Sequence, residues 1–208
     1  MRVVSLYGDR VVPRIMNVLL AGREFRTLRA RVASSLSGDV LEVGFGSGLN
    51  VPYYPDGVLR VLAVDPATVG QKLAAKRVAA SRTPVEYIGL DGSRLPLEPH
   101  SVDHVLITWT MCTIPDVGTA VGEMHRVLRP GGQLHFVEHG RSLDPAVARR
   151  QDRLNALQRL WAGGCNLNRP IDHLIESGGF EMTSLERYYM KGPKPMCFTY
   201  EGVATKPS

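Results

Sequence analysis

The sequence predicts an α/β fold: a mostly parallel sheet of seven strands with helices on both faces and an antiparallel strand pair at its C-terminal end. Three observations carry the prediction. Apolar runs of strand length alternate with helical stretches between residues 40 and 140, the pattern of parallel strands joined by right-handed crossovers. The first run, residues 40–43, ends in Val43 and turns through Gly44, Gly46 and Gly48, where the backbone is free to take φ > 0 and approach a ligand closely. Later runs end in Asp65 and Asp91, and open parallel sheets bind ligands beyond the carboxyl ends of their strands.

The elements follow in order. Residues 10–36 read as two helices meeting near Gly22. After the first strand and its glycine turn, residues 59–65 give a second strand and residues 68–81 an Ala- and Lys-rich helix. Residues 84–90 give a third strand closed by Asp91-Gly92, and residues 102–109 a fourth. A helix over 116–128 is expected to stop at the turn Arg129-Pro130-Gly131-Gly132, since proline and glycine cannot continue it. Residues 133–138 form the fifth strand. Residues 145–162 read as an amphipathic helix with Val147, Leu154, Leu157, Leu160 and Trp161 on one face, a face that by default packs on the core. A short helix over 170–178 and two runs, 180–189 and 196–205, separated by Gly192-Pro193-Lys194-Pro195, complete the chain.

Composition bounds the class. At 208 residues the chain suffices for a single domain over 1–208 with a sizeable core. Its parts read as N-terminal cap helices over 1–36, a ligand-binding core over 38–140, and helices and terminal strands over 141–208. Cys112, Cys165 and Cys197 are widely spaced and contain no C-x-x-C, which argues against a disulfide framework or a structural zinc site, so no metal is expected. No apolar run reaches the roughly 20 residues of a membrane span, and residues 1–22 are too interrupted for a signal peptide. The expectation is a soluble, cytoplasmic protein, monomer or homodimer. The net charge of +5 rests largely on Arg23, Arg26, Arg29 and Arg31 and on Arg149, Arg150, Arg153 and Arg159. Both groups read as solvated helix faces. Neither is interleaved with stacking aromatics, so nucleic acid is not expected as a partner.

The informative residues gather at strand ends. Asp65, followed by Pro66, stands where a carboxylate accepts both hydroxyls of a ribose; Asp91, followed by Gly92 and Ser93, stands where one takes an adenine amine. Thr108 and Trp109 end the fourth strand, and Glu138 and His139 the fifth. Singly, each has an ordinary explanation as a turn residue; their joint order is harder to explain that way. A NAD-dependent oxidoreductase shares the first half of such a fold. Its G-x-G-x-x-G spacing is missing here, because Gly48 comes one residue early.

Residues 40–48 (VLEVGFGSG), 61–67 (VLAVDPA), 89–106 and 123–139 resemble the successive motifs of class I S-adenosylmethionine (SAM) methyltransferases, Rossmann-like enzymes. Within that family they are similar to the quinone-biosynthesis branch. Residues 50–57 (NVPYYPDG), 137–140 (VEHG) and 161–170 (WAGGCNLNRP) resemble animal methyltransferase-like proteins that act on alkyl thiols. The resemblance implies SAM as cofactor, S-adenosylhomocysteine as product and a small-molecule acceptor. It implies that Glu42, Gly44, Gly46, Gly48 and Asn50 surround the amino-acid end of SAM, Glu42 reaching its ammonium. Asp65 with Pro66 holds the ribose, Asp91 with Gly92 and Ser93 the adenine, and Thr108 with Trp109 borders the methionine portion. Tyr7 closes the pocket. Phe45 stands where relatives often carry a smaller residue, which implies a tighter fit. The animal proteins also carry an N-terminal hydrophobic anchor that this sequence does not show, so a membrane location does not carry over.

Transfer from SAM demands positioning above all, and a thiol acceptor needs only to ionise. A phenol or alcohol would need a base, with His139, His100 and Glu138 as candidates. His139 is open to two readings, general base or structural hydrogen bond at a strand end. Glu138 and His139, adjacent in a strand, point to opposite faces. The segment after the fourth strand lacks the Asn-Pro-Pro-Tyr of many planar-amine methyltransferases. Met111, Cys112, Trp161 and Cys165, with Ile114, Leu160, Tyr188 and Tyr189, are candidates for a small lipophilic acceptor pocket. A thiol is favoured, with quinones, phenols and phospholipid headgroups next; the basic helix 145–162 allows weak contact with a membrane surface.

Overall fold

A computed structural model describes residues 11–66 and 68–208; Tyr7 lies outside them. Among the described residues, β1 (Gly38–Val43), β2 (Val58–Val64), β3 (Val85–Gly89), β4 (Val102–Thr108), β5 (Leu128–His139), β6 (Glu181–Tyr189) and β7 (Phe198–Thr205) form one sheet in the order β3-β2-β1-β4-β5-β7-β6. The first five strands run parallel, and β7 is antiparallel to both β5 and β6. The central strands are buried on both faces, which is why they read as continuous apolar runs. Chain order reverses between β1 and β4, and the crevice at their carboxyl ends is the expected ligand site.

The helices are α1 (Val12–Leu19), α2 (Arg23–Ala33), α3 (Thr68–Ala79), α4 (Val117–Val127), α5 (Pro145–Trp161), α6 (Ile171–Ser177) and α7 (Lys194–Cys197), with a single turn of 3-10 helix at Val51–Tyr53. Asp116 caps α4 by accepting from the Thr119 N–H, and Asp144 caps α5 by accepting from the Ala146 and Val147 N–H groups, each satisfying donors that a helix start leaves open. No helix among the described residues is long and apolar enough to cross a membrane.

Two expectations are corrected. Residues 129–132 are not a free turn but the irregular start of β5. A register shift lies between the Val102–Leu128 and His104–Gln133 pairs, and residues 131 and 132 exchange backbone hydrogen bonds with Lys206. The second correction concerns α5. Only Val147, Ala148 and Gln151 are buried, and Gln151 bonds the Ser142 N–H and the Gly140 and Pro195 carbonyls. Leu157, Leu160 and Trp161 are 55%, 77% and 67% exposed. The second half of the helix leaves the core, so its apolar stripe faces outward.

Candidate cofactor and acceptor site

A cavity of about 1420 Å³ opens at the carboxyl ends of the parallel strands, walled on its outer side by α1 and the end of α5. It is lined by Gly44, Gly46, Asn50, Asp65, Pro66, Asp91, Gly92, Ser93, Thr108, Trp109, Cys112, His139 and Cys165, so most of the residues expected from sequence meet there. The turn after β1 is left-handed at each glycine, with φ of 79° at Gly44 and 54° at Gly46, values that L side chains rarely adopt. Asp65 Oδ2 accepts from the Gly46 N–H at 2.7 Å and locks the turn against the end of β2. Asp91 Oδ1 accepts from the Ser93 N–H and hydroxyl at 2.9 and 2.6 Å, closing a compact turn after β3.

One residue at this site was not anticipated. Arg29 is not on a solvated face but 4% exposed, and it lines the cavity. Its Nη1 donates to Asn50 Oδ1 at 2.7 Å and Thr108 Oγ1 at 3.0 Å, and the guanidinium lies 4.7 Å over the Trp109 ring. Its Nε is buried without a hydrogen-bond partner, and burial lowers its pKa to about 10. The signal was present: Leu28, Arg29, Val32 and Ala33 form the buried stripe of α2, so this arginine occupies a core position of the helical period. Trp109, the first residue beyond β4, has φ 48°, an uncommon backbone state for a bulky residue that marks functional sites. It is held by its N–H to the Val137 carbonyl and by edge-on contact with Phe25.

Farther along the wall, Glu138 Oε1 accepts from the Thr110 and Met111 N–H groups at 2.7 and 3.0 Å. Burial raises its pKa to about 7. His139 Nε2 lies 3.2 Å from Cys165 Sγ. A hydrogen bond from Cys112, with another from His139, holds the Cys165 pKa well below the usual thiol value despite its burial and so favours the thiolate, while the bond to Cys165 and then burial push Cys112 up. The resulting charge raises the His139 pKa against the effect of its own burial.

A methyltransferase-domain family model matches residues 41–136. Human thiol S-methyltransferase TMT1A is 30% identical over 173 residues, covering 78% of this chain and 68% of that protein. The chain belongs to the SAM-dependent methyltransferases. Thiol S-methyltransferase TMT1B of Mus musculus is 33% identical over 159 residues, covering 72% of this chain and 64% of its own length; the chain thus spans about two thirds of such relatives. A phosphoethanolamine-type N-methyltransferase of Haemonchus contortus, solved with S-adenosylhomocysteine, superposes with TM-score 0.70 at 17% identity over 100% of this chain and 62% of that one, a likeness of fold.

The residues present in this methyltransferase fit SAM. A Cβ on Gly44 would lie 2.1 Å from the Thr110 side chain, and one on Gly70 would lie 2.7 Å from the Gly46 carbonyl oxygen, so the turn and the start of α3 pack together without side chains at these two positions. Arg29, a cation in the cavity lining, suits a carboxylate. Several expected residues stand away from the cavity lining. Glu42 lies behind it, 1% exposed, accepting from Asn50 Nδ2 at 2.9 Å and from the Tyr54 hydroxyl, with its pKa raised to about 7 by burial. Gly48 serves packing, since a Cβ there would crowd Ala74 and Val51. Met111 is fully buried in the core because Glu138 holds its N–H inward. Trp161 lies on the outer face of α5. Tyr188 and Tyr189 are spent on Glu201 and Ser142. His100 precedes β4 and bonds Lys206, at the end of the sheet opposite the cavity.

Proposed function

We propose that the chain transfers the methyl group of SAM to a small lipophilic thiol. The observation that carries this reading is the contrast between the two ends of the cavity. The turn after β1, Arg29, Asp65 and Asp91 make a polar end suited to an amino acid and a nucleoside. The other end is lined by Ile114, Leu160, Leu167, Met190 and Met196, with the sulfur- and imidazole-bearing wall of Cys112, His139 and Cys165 beside it. The names of the relatives favour the same acceptor class.

When bound, SAM supplies a methyl on a cationic sulfur. Arg29 would hold the carboxylate of its amino-acid end, Asp65 the ribose and Asp91 with Ser93 the adenine. The apolar end would exclude water and orient the acceptor sulfur toward the methyl, and positioning of that kind is worth several kcal/mol by itself. His139 has its Nε2 engaged by Cys165, which weakens the general-base reading.

The test is direct. Thermal unfolding is followed with SAM, S-adenosylhomocysteine and NAD, and methyl-labelled SAM is then offered with small alkyl thiols. Stabilisation by the adenosyl compounds alone and label on the thiol are expected. Stabilisation with label only on quinols, phenols or phospholipids would select the second reading, which the exposed apolar half of α5 favours. No stabilisation would defeat both.

A further inference from the structure

Cys112, His139 and Cys165 come from three separate places: the loop after β4, the end of β5 and the loop after α5. Their ligand atoms, two sulfurs and a ring nitrogen, all lie within 4.8 Å of one another, on the cavity wall. The arrangement is built, not incidental. The Asn166 N–H and side-chain amide both donate to the Cys112 carbonyl at 2.9 Å, stapling the two cysteine loops together. Arg169 donates to the Met111 carbonyl, and Glu138 Oε1 grips the Thr110 and Met111 N–H groups from beneath. Glu138 Oε2 is buried with no hydrogen-bond partner, a costly state for a polar atom. The imidazole presents Nε2 to Cys165 and bonds the Asn166 backbone. Metal-ligating histidines are usually held in this way.

We propose that Cys112 Sγ, His139 Nε2 and Cys165 Sγ bind a zinc ion whose fourth position opens to the cavity and receives the acceptor thiol. Two thiolates and an imidazole are a donor set that suits zinc. Three protein ligands with one open position are the mark of a zinc site that takes a substrate, whereas structural sites close with four. Tetrahedral zinc with bonds of about 2.0–2.3 Å needs ligand atoms about 3.5–3.8 Å apart, so the wall must contract by only about 1 Å from its widest separation. Two thiolates cancel the charge of the ion. A bound acceptor thiolate then adds one negative charge, which the half-buried Arg169 beside the cluster offsets.

The acceptor part of this proposal rests on the thiol reading above. The thiol loses its proton to solvent as its sulfur joins the zinc. A lone pair of that sulfur then forms the bond to the methyl carbon, while the carbon–sulfonium bond breaks and its electron pair stays on the donor's sulfur. The neutral thioether is a poor ligand and leaves. The residues assemble only in three dimensions, which is why the cysteine spacing carried no metal signature.

The experiment uses the full chain, without a histidine tag. Bound metal is measured by mass spectrometry, and cobalt(II) is then loaded as a spectroscopic stand-in. About one metal per chain is expected, with thiolate-to-cobalt charge-transfer and tetrahedral d–d bands that shift when ethanethiol is added. Cys112→Ser and Cys165→Ser should each weaken cobalt binding at least about tenfold, with stabilisation by S-adenosylhomocysteine retained as the check on folding. A folded chain that binds S-adenosylhomocysteine but yields no charge-transfer band would overturn the site, as would bands that survive in the double variant. Bands unmoved by thiol would overturn the open position, and so would undiminished thiol methylation after chelation. A thiol-shifted cobalt spectrum without label on the thiol would support the site while defeating the thiol methylation reading.

Discussion

Arg29 is a buried cation whose Nε has no hydrogen-bond partner, and whose pKa burial lowers to about 10. A buried group in that state costs stability unless a ligand completes it. Arg29→Met relieves the buried charge but gives up the bonds to Asn50 and Thr108, so the ligand-free chain should lose only a little stability in a thermal scan. The same change should raise the SAM dissociation constant by about 10- to 100-fold, the worth of a charge-assisted hydrogen bond, when measured by calorimetry. Equal losses of stability and affinity would mean a merely structural arginine. Asp65 makes a complementary case, because it both faces the cavity and accepts from Gly46. Asp65→Ala should cut SAM affinity at least about tenfold with a small change in melting temperature, and unchanged affinity would refute the ribose role. Of the two residues, only Asp65 was legible in the sequence. An acid at a strand end is visible in one dimension, whereas Arg29 is separated from its solvated neighbours only by helical phase.

The elements were legible where burial is two-sided. β1, β2 and β4 are covered on both faces, so apolar content alone locates them. α5 was misread because its stripe continues past the point where the helix leaves the core. Residues 129–132 were misread because proline and glycine also occur at an irregular strand start. The join between β1 and α3 yields a sharp prediction: Gly70→Ala places a methyl 2.7 Å from the Gly46 carbonyl oxygen, so α3 must back away from the glycine turn. SAM affinity should fall more steeply than stability, measured by the same two methods. β1 also sets a pH dependence through Glu42, whose carboxyl titrates near 7 in the fold against an ordinary 4.5. Between those values the folded chain binds the extra proton, so this group makes stability fall as pH rises from 4.5 to about 7 and adds nothing further above. Glu42→Gln removes that slope. Its urea midpoint should gain on that of the parent chain as pH rises through this window, and a gap constant with pH would refute the shift.

At the scale of the whole molecule, a net charge of +5 and an outward apolar stripe act together. Along α5, Arg150, Leu154, Leu157 and Trp161 follow one another at three- or four-residue steps, and Arg153, Leu157 and Leu160 do the same, so cations and apolar side chains share one exposed face. The stripe ends at the cavity, since Arg159 and Leu160 are also part of its lining. An amphipathic face of this kind suits a lipid interface with anionic headgroups, each arginine there adding about 1 kcal/mol. A lipophilic acceptor dissolved in the bilayer would then meet the cavity at its mouth. The chain should co-sediment with vesicles containing phosphatidylserine, much less with pure phosphatidylcholine, and release as salt rises. Trp161, 67% exposed, should blue-shift its fluorescence on binding, against a Trp109 background fixed inside the site. Leu157→Asp with Leu160→Asp should abolish sedimentation while leaving stabilisation by S-adenosylhomocysteine in place, because Leu157 lies outside the cavity lining and Leu160, in that lining, is largely exposed. If the vesicles fail to bind at low salt, the stripe has no lipid role, and a lipophilic acceptor must reach the cavity from water.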